Sequence, residues 1–210
     1  MADADIKLCT PMQCKTTEPD ADGAFEFVNI EGATFALEIK GSDENSATMM
    51  GFIELAMEEV RILDIPIVVP NFQTSDNLGT SGTIAVDGGL NVSVDTNYEL
   101  PFGTSVDEKL NGVQMTDLTT SGLPLDGIDG EVVGLWYLGT WNTAIRDDGW
   151  SFTIDSLEGV AEGDSLTVLT GDYFSSAWVN DGTATVGADG VVTADDGTGI
   201  TFLSTLVLVK

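Results

Sequence analysis

The stretch Asp181-Gly-Thr-Ala-Thr-Val-Gly-Ala-Asp-Gly190 places two Asp-Gly pairs on either side of a short run of alternating residues. Asp-Gly next to alternating apolar residues is a strong signal for a β-hairpin, because glycine tolerates the positive φ that a primed turn needs. The pattern therefore predicts a strand at Thr183–Gly187 between two tight turns.

The same dipeptide is spread over most of the 210 residues. Asp-Gly occurs eight times, at 22–23, 87–88, 126–127, 129–130, 148–149, 181–182, 189–190 and 196–197. Strand-like alternation accompanies these turns, as in Ala24–Val28, where Phe25 and Phe27 share one face. Helical periodicity is scarce, since the best candidate, Gly51–Leu63, gives only a mixed pattern. We therefore expect an all-β protein built from many short strands.

The alternation changes character near residue 70. Asn71–Gly82 follows Pro70, is poor in large apolar residues and is rich in Ser, Thr, Asn and Gly, which is typical of a linker. We predict a β-sandwich over residues 1–70, a linker over 71–83 and a larger β-rich sandwich over 84–210. The strands predicted before the linker are Ile6–Cys9, Cys14–Thr17, Ala24–Val28, Thr34–Lys40, Thr48–Leu55 and Val60–Val69.

The charge balance excludes several classes of partner. Thirty-five acidic residues face seven basic ones, which gives a net charge of −28, and the chain has no histidine. Such a surface repels nucleic-acid phosphates and anionic lipids, so we expect no nucleic-acid binding. The longest apolar runs, such as Ile65–Pro70, are far shorter than a membrane span, so we expect no membrane insertion. The acids are scattered along the chain, which favours a solvating role.

Cys9 and Cys14 are the only cysteines, separated by four residues. If Ile6–Cys9 and Cys14–Thr17 pair as a hairpin, the two cysteines face each other with Cβ atoms about 4.5–5.5 Å apart. Modest closure of the loop would then allow a disulfide. A two-cysteine metal site is the alternative, but it needs further Cys or His ligands, and the sequence offers none. A disulfide would indicate an oxidising compartment.

The N-terminal segment also carries a family likeness. Cys9-Thr-Pro-Met-Gln-Cys14-Lys-Thr-Thr-Glu-Pro-Asp-Ala-Asp-Gly-Ala-Phe-Glu-Phe27, continued by Val28-Asn-Ile-Glu-Gly-Ala-Thr-Phe-Ala-Leu-Glu-Ile39, resembles the start of carboxypeptidase regulatory-like domains in bacterial surface proteins. The resemblance covers roughly residues 4–70. It implies a seven-stranded, transthyretin-like β-sandwich without peptidase chemistry, acting as a spacer or an adhesion-linked module.

A second likeness lies in the C-terminal part. Asp181–Gly190 and Leu203-Ser-Thr-Leu-Val207 are similar in style to domains of secreted surface proteins from myxobacteria-like bacteria. This resemblance implies no ligand residues. The start Met-Ala-Asp-Ala-Asp lacks a basic and an apolar region, so we expect no signal peptide within this chain, although we expect the protein to be exported.

No motif indicates catalysis. Without histidine, neither a Ser-His-Asp nor a Cys-His arrangement can form. The glycines lie in turns, so the sequence has no P-loop and no dinucleotide-binding fingerprint. Catalysis would rest on carboxylates alone, and we therefore expect a protein that is not an enzyme and that has no cofactor, with calcium as the one open alternative.

The calcium alternative depends on Asp20-Ala-Asp22-Gly23. Alternating acids before a glycine are typical of calcium loops, and Glu31 stands at the twelfth position counted from Asp20. However, the intervening Phe25–Val28 has the pattern of a strand, which favours an ordinary turn. Asp20 and Asp22 therefore stay candidate calcium ligands, and an ordinary turn is the favoured alternative.

Two residues are candidates for ligand contact. Trp141 and Asn142 follow the predicted strand Glu131–Gly139, whose two faces are both apolar, and a tryptophan in the following loop is a candidate platform for a glycan. Packing in the core is the favoured alternative, because aromatic residues dominate cores. We expect Trp136, within the strand, to be buried.

These observations predict an extracellular structural or interaction module of a bacterial cell-surface or filament-like assembly, with protein partners or self-association. A carbohydrate-binding module and a calcium-stabilised adhesion domain are the alternatives. The C-terminal strand Phe202–Val209 is either an edge that pairs with a neighbouring molecule or, as we favour, an internal strand of the fold.

Overall fold

The computed structural model describes residues 4–78, 81–100, 109–118, 121–139 and 142–210. Within these ranges the protein is all-β, as predicted, and the 3-10 turn Asp87–Gly89 is the one helical element. No helix in the described ranges is long and apolar enough to cross a bilayer. The strands are β1 Asp5–Thr10, β2 Gln13–Thr17, β3 Ala33–Lys40, β4 Thr48–Leu55, β5 Thr74–Asn77, β6 Gly82–Ala85, β7 Leu90–Val94, β8 Tyr98–Glu99, β9 Lys109–Gln114, β10 Val132–Gly139, β11 Thr143–Ile145, β12 Phe152–Ile154, β13 Ser165–Asp172, β14 Ala177–Val186, β15 Val192–Ala194, β16 Phe202–Leu203 and β17 Thr205–Val209.

The strands form three antiparallel sheets. The first sheet has the order β2-β1-β3-β4, the large sheet β5-β9-β10-β17-β13-β14-β15-β12-β7-β6, and the small sheet β16-β11-β8. Tight turns join neighbouring strands, as between β14 and β15, where Gly190 has a φ of 81° and the Gly187 N–H donates to the Val191 carbonyl at 2.8 Å. The glycines of all eight Asp-Gly pairs have positive φ.

One of those pairs does not form the predicted turn. The strand predicted at Thr183–Gly187 does not begin at a turn, because Thr183–Val186 continue the longer strand β14, Ala177–Val186. Asp181 lies between Asn180 and Gly182, which pair with the consecutive residues Leu169 and Val168, so Asp181 is the extra residue of a β-bulge. Gly182 supplies the positive φ, at 113°, that keeps the strand continuous.

The large sheet curls into an almost closed cylinder around the main core. At the point of near closure, the Trp136 indole N–H donates to the Asp87 carbonyl at 2.9 Å, and the Asp87 carboxylate accepts the Gln114 N–H at 3.0 Å. Trp136, Trp150 and Phe152 are buried inside. The expectation that Trp136 is a core residue is therefore confirmed.

The C-terminal strand lies in the middle of the large sheet. β17 pairs with β10 on one side and with β13 on the other, and all five of its residues are buried. The interpretation as an internal strand is confirmed for Thr205–Val209, which offers no edge to a neighbouring molecule, whereas Phe202–Leu203 form the separate strand β16 at the edge of the small sheet.

One face of the first sheet packs against the large sheet. Phe52 and Trp178 meet edge to face with ring centroids 4.8 Å apart, and Ala36 and Met50 belong to the same buried cluster. The Thr205 hydroxyl accepts the Met50 N–H at 3.2 Å and donates to the Met50 carbonyl at 2.5 Å. The first sheet and the large sheet therefore share buried contacts. The boundaries given above for the two domains stay a prediction.

Two predicted strands, Ala24–Val28 and Val60–Val69, are absent, because their residues form no ladder with a neighbour. Alternation describes which side chains face a core, whereas a strand also needs a partner for its backbone. Conversely, Thr74–Asn77 lies in the predicted linker and is a strand paired with β9. All four of its residues are polar, so the sequence shows no alternation of apolar and polar residues that would predict a strand there.

Candidate functional site

The second face of the first sheet lines an open cavity of about 1120 Å³. The floor of the cavity is formed by side chains of three strands that are buried and aliphatic, namely Ile6, Leu8, Leu37, Ile39 and Ile53. Its roof consists of residues 18–32 and 56–70, which have no regular secondary structure; we call these the roof segments. Phe25, Phe27, Leu63, Ile67 and Val69 attach them to the floor by apolar contacts.

The roof segments also carry most of the exposed apolar surface. Eight large apolar side chains are exposed in the described residues, and six of them lie on these two segments. Val60 and Ile62, two residues apart, have exposed fractions of 83% and 73%. Apolar side chains concentrated in this way mark sites of interaction on soluble proteins. The other members of the set are Val28, Met57, Ile65 and Val68.

The backbone of the second roof segment is largely unpaired. The Glu59 N–H donates to the Ala56 carbonyl at 3.2 Å, and the Pro70 carbonyl accepts the Ala47 N–H at 2.9 Å, so both ends of the segment are fixed. Between them, the backbone of residues 60–69 forms no hydrogen bond to any other described residue. Its N–H and C=O groups therefore have no backbone partner among the described residues.

The surroundings of the cavity are acidic. Asp22, Glu26, Glu58, Glu59 and Asp64 line it, and Arg61 is the one basic residue among the lining residues that the structure describes. The Arg61 guanidinium already pairs with the Asp126 carboxylate at 3.0 Å. The cavity therefore combines an apolar floor with a negatively charged rim.

The predicted disulfide is present. Cys9 and Cys14 are directly opposed in the β1–β2 hairpin and are bonded to each other, with their Cα atoms 4.0 Å apart, which excludes the two-cysteine metal site. The Tyr173 hydroxyl contacts both sulfur atoms, at 2.8 Å from Cys14 Sγ and 3.3 Å from Cys9 Sγ. The disulfide therefore lies where the first sheet meets the β13–β14 connection.

Replacing both cysteines by alanine is expected to lower the free energy of unfolding by about 2 kcal/mol, because the disulfide closes only a short loop in the unfolded chain. Urea unfolding with and without a reductant measures this. Reductant should destabilise the natural protein and leave the double variant unchanged. Equal stability of the two oxidised proteins would contradict the expectation.

Asp20 and Asp22 form a turn, as favoured. One Asp20 carboxylate oxygen accepts the backbone N–H groups of Asp22 and Ala24, both at 2.9 Å, and Gly23 has a φ of 85°. Asp20 therefore uses its carboxylate to stabilise the turn. In the described part of the chain, no group of three or more Cys, Asp or Glu residues is arranged to hold a metal ion.

Trp141, the glycan-contact candidate, lies outside the described residues. Its neighbour Asn142 is 1% exposed, and its backbone N–H donates to the Leu203 carbonyl at 2.7 Å. Both polar atoms of its side-chain amide lack a hydrogen-bond partner. Because it is buried, Asn142 does not face a ligand at the surface.

Tyr137 is a buried polar residue that the sequence did not single out. Its side chain is fully buried, its hydroxyl has no hydrogen-bond partner, and burial raises the pKa of that hydroxyl. We expect Tyr137→Phe to raise the free energy of unfolding by about 1–3 kcal/mol, since it removes an unsatisfied buried hydroxyl. Thermal unfolding tests this, with Tyr98→Phe, a half-buried tyrosine, as the control; a lowered melting temperature for Tyr137→Phe would contradict it.

No family model, curated protein or solved structure matches this chain. The likeness to carboxypeptidase regulatory-like domains and to bacterial surface proteins stays a prediction, and the site is interpreted from its own geometry.

Proposed function

We propose that this protein is a non-enzymatic structural or interaction module of an extracellular or cell-surface assembly, which binds a protein partner through the roof segments. The observation that carries the proposal is the concentration of six exposed apolar side chains on those segments, in a chain whose net charge is −28. Exposed apolar side chains do not help to keep a protein in solution, so their concentration on a strongly charged protein favours a role in binding.

The magnitudes support a stable complex. Covering one exposed aliphatic side chain contributes about 1.5–3 kcal/mol, so six would contribute about 9–18 kcal/mol. Association costs about 4–15 kcal/mol in lost translational and rotational freedom. At the middle of both ranges, a partner that covers all six side chains binds with a net gain, whereas one that covers only two does not.

The extracellular setting is supported by the disulfide, because such bonds persist in oxidising compartments. The non-enzymatic role is supported by the sequence, which has no histidine and therefore allows neither a Ser-His-Asp nor a Cys-His arrangement.

The alternatives have less support. A carbohydrate-binding module would depend on Trp141, because Asn142 is buried. A calcium-stabilised adhesion domain would depend on Asp20, whose carboxylate already accepts two backbone N–H groups. Binding of a protein partner is the proposal that uses the largest feature of the surface.

Two measurements on cells that naturally produce the protein test the proposal. A protease that cannot cross membranes should remove the protein from intact cells, and gentle extraction should release it in particles larger than its own 22.1 kDa mass. Protection from the protease would contradict the location, and recovery only as monomer would contradict the interaction. A cytoplasmic protein of the same cells, resistant to the protease, is the control.

A further inference from the structure

The observations on the cavity lead further, on the basis of the proposed function, to the kind of partner. We infer that the second roof segment receives a β-strand donated by a different, positively charged protein. The donated strand pairs with the backbone of residues 60–65 and packs alternate apolar side chains beside the exposed Val60 and Ile62.

The accessible surface of this site is the outer side of the roof. The floor side chains Ile6, Leu37 and Ile39 are only 3%, 1% and 3% exposed, because apolar side chains of the roof segments already pack on them. Val60 and Ile62, in contrast, are 83% and 73% exposed. A partner therefore meets the roof rather than the floor.

The unpaired backbone supplies the hydrogen bonds that a strand requires. Six residues in an extended conformation span about 20 Å, which matches the common length of a strand, so a stretch of the length of residues 60–65 is long enough to pair. Pro66 lacks an N–H and ends the pairing stretch. Val60 and Ile62 lie within it with their side chains exposed, so an added strand would both satisfy the backbone and cover these side chains.

Close backbone contacts fix both ends of this stretch. A Cβ atom added to Gly32 would lie 2.6 Å from the Met57 nitrogen, and one added to Gly122 would lie 2.6 Å from the Pro66 carbonyl oxygen. The chain therefore passes closely against neighbouring backbone before residue 60 and after residue 65. A stretch that is held at its ends loses less conformational entropy when it accepts a strand.

The negative charge around the cavity favours a basic donated strand. The lining residues include five acids against one base, so a strand flanked by Lys or Arg is attracted and one flanked by acids is repelled. A second copy of this chain would bring another −28 charges to the same surface. The electrostatics therefore favour a different, basic protein over self-assembly.

Binding of synthetic peptides to the full chain tests the inference. The probe alternates Val and Thr, carries two lysines at each end and has a fluorescent label for anisotropy measurements. We expect it to bind, to bind less tightly as salt rises, and to slow hydrogen exchange at residues 60–65. The same peptide with glutamate in place of lysine, or with proline at its centre, should bind at least about tenfold more weakly.

Matched variants locate the site. Ile62→Lys should weaken binding of the lysine peptide at least about tenfold, since it loses one apolar contact and adds a positive charge that repels the lysines, at a side chain that is already exposed. Met12→Lys adds the same charge at a residue that is 94% exposed and does not line the cavity, and it should bind as the natural protein does. Thermal unfolding establishes that both variants are folded.

Three results would overturn the inference. The first is equal binding of the lysine and glutamate peptides. The second is unchanged exchange at residues 60–65 in the presence of saturating lysine peptide. The third is a dimer of the chain that protects residues 60–65, because the occupant would then be a second copy. None of these results would alter the particle size or protease sensitivity in native cells, so failure of this inference is distinguishable from failure of the proposed function.

Discussion

Deletion of Leu206–Lys210 is expected to abolish cooperative folding. The deletion removes the four consecutive buried residues Leu206–Val209 from a strand that pairs with both β10 and β13. Burial of an aliphatic side chain contributes about 1.5–3 kcal/mol, so the four together contribute about 6–12 kcal/mol. The total free energy of unfolding of a typical domain is about 5–15 kcal/mol. The loss is therefore comparable with the whole stability of the fold.

Circular dichroism and urea unfolding of the truncated chain measure this effect. Lys210→Ala is the matched control, because it keeps β17 and removes only the contacts of Lys210 Nζ, which are a partly exposed ion pair with Asp164 at 2.6 Å and a hydrogen bond to the Gly159 carbonyl at 3.4 Å. Such pairs contribute about 0–1 kcal/mol. Soluble, folded monomers of the truncated chain would show that the C-terminal strand is dispensable and would contradict its place in the sheet.

Asp181→Ala is expected to have the second largest effect, a loss of about 2–4 kcal/mol in the free energy of unfolding. Asp181 is 8% exposed and accepts hydrogen bonds from the Thr170 hydroxyl at 2.8 Å, the Thr201 hydroxyl at 2.6 Å and the Thr201 N–H at 3.2 Å. Alanine would leave the Thr201 N–H without its acceptor, and a lost partner of this kind costs about 1–3 kcal/mol. The void adds to that cost.

The same carboxylate should make stability depend on pH. Burial raises the pKa of Asp181, although its three hydrogen bonds oppose the shift. The native state therefore holds the proton more tightly than the unfolded chain does. The stability that this group contributes is complete below the ordinary pKa of aspartate, and it is lost as the pH rises through the raised native value.

Asp181→Asn isolates that contribution. Asparagine still accepts the Thr201 N–H, and its amide can donate to the Thr201 hydroxyl, but it does not titrate. We expect the stability of Asp181→Asn relative to the natural protein to increase as the pH rises through this window. Urea unfolding of both proteins at a series of pH values measures the difference between their free energies of unfolding. The other acidic residues are the same in both proteins, so their contributions to this difference largely cancel. A difference that does not change with pH would contradict the expectation.

The hairpins could be predicted because their signals are local. Each Asp-Gly glycine has the positive φ that the dipeptide indicated, and the Cys9–Cys14 bond follows from a pairing register set by a short loop. The bulge at Asp181 has the same dipeptide but a different outcome. There the neighbouring strand β13 continues past the pair, and only the tertiary structure shows that continuation.

The candidate site could be predicted only in part. The alternation of Phe25 with Phe27 correctly indicated a side of the chain that faces a core, but the absence of a backbone partner for these residues depends on which strands lie beside them. The cavity arises from that absence. No local pattern distinguishes Val60–Val69 as part of a sheet from the same residues as an unpaired roof, because the side chains suit both.

By itself, the sequence determined the all-β class, the positions of the turns and the disulfide, since these depend on residues close together in the chain. The tertiary structure decided which strands share a sheet, which polar groups are buried without a partner, and where apolar surface stays open. These properties depend on contacts between residues far apart in the chain, as between Thr205 and Met50. The exposed apolar surface of the roof segments, on which the proposed binding of a basic strand rests, belongs to this second group.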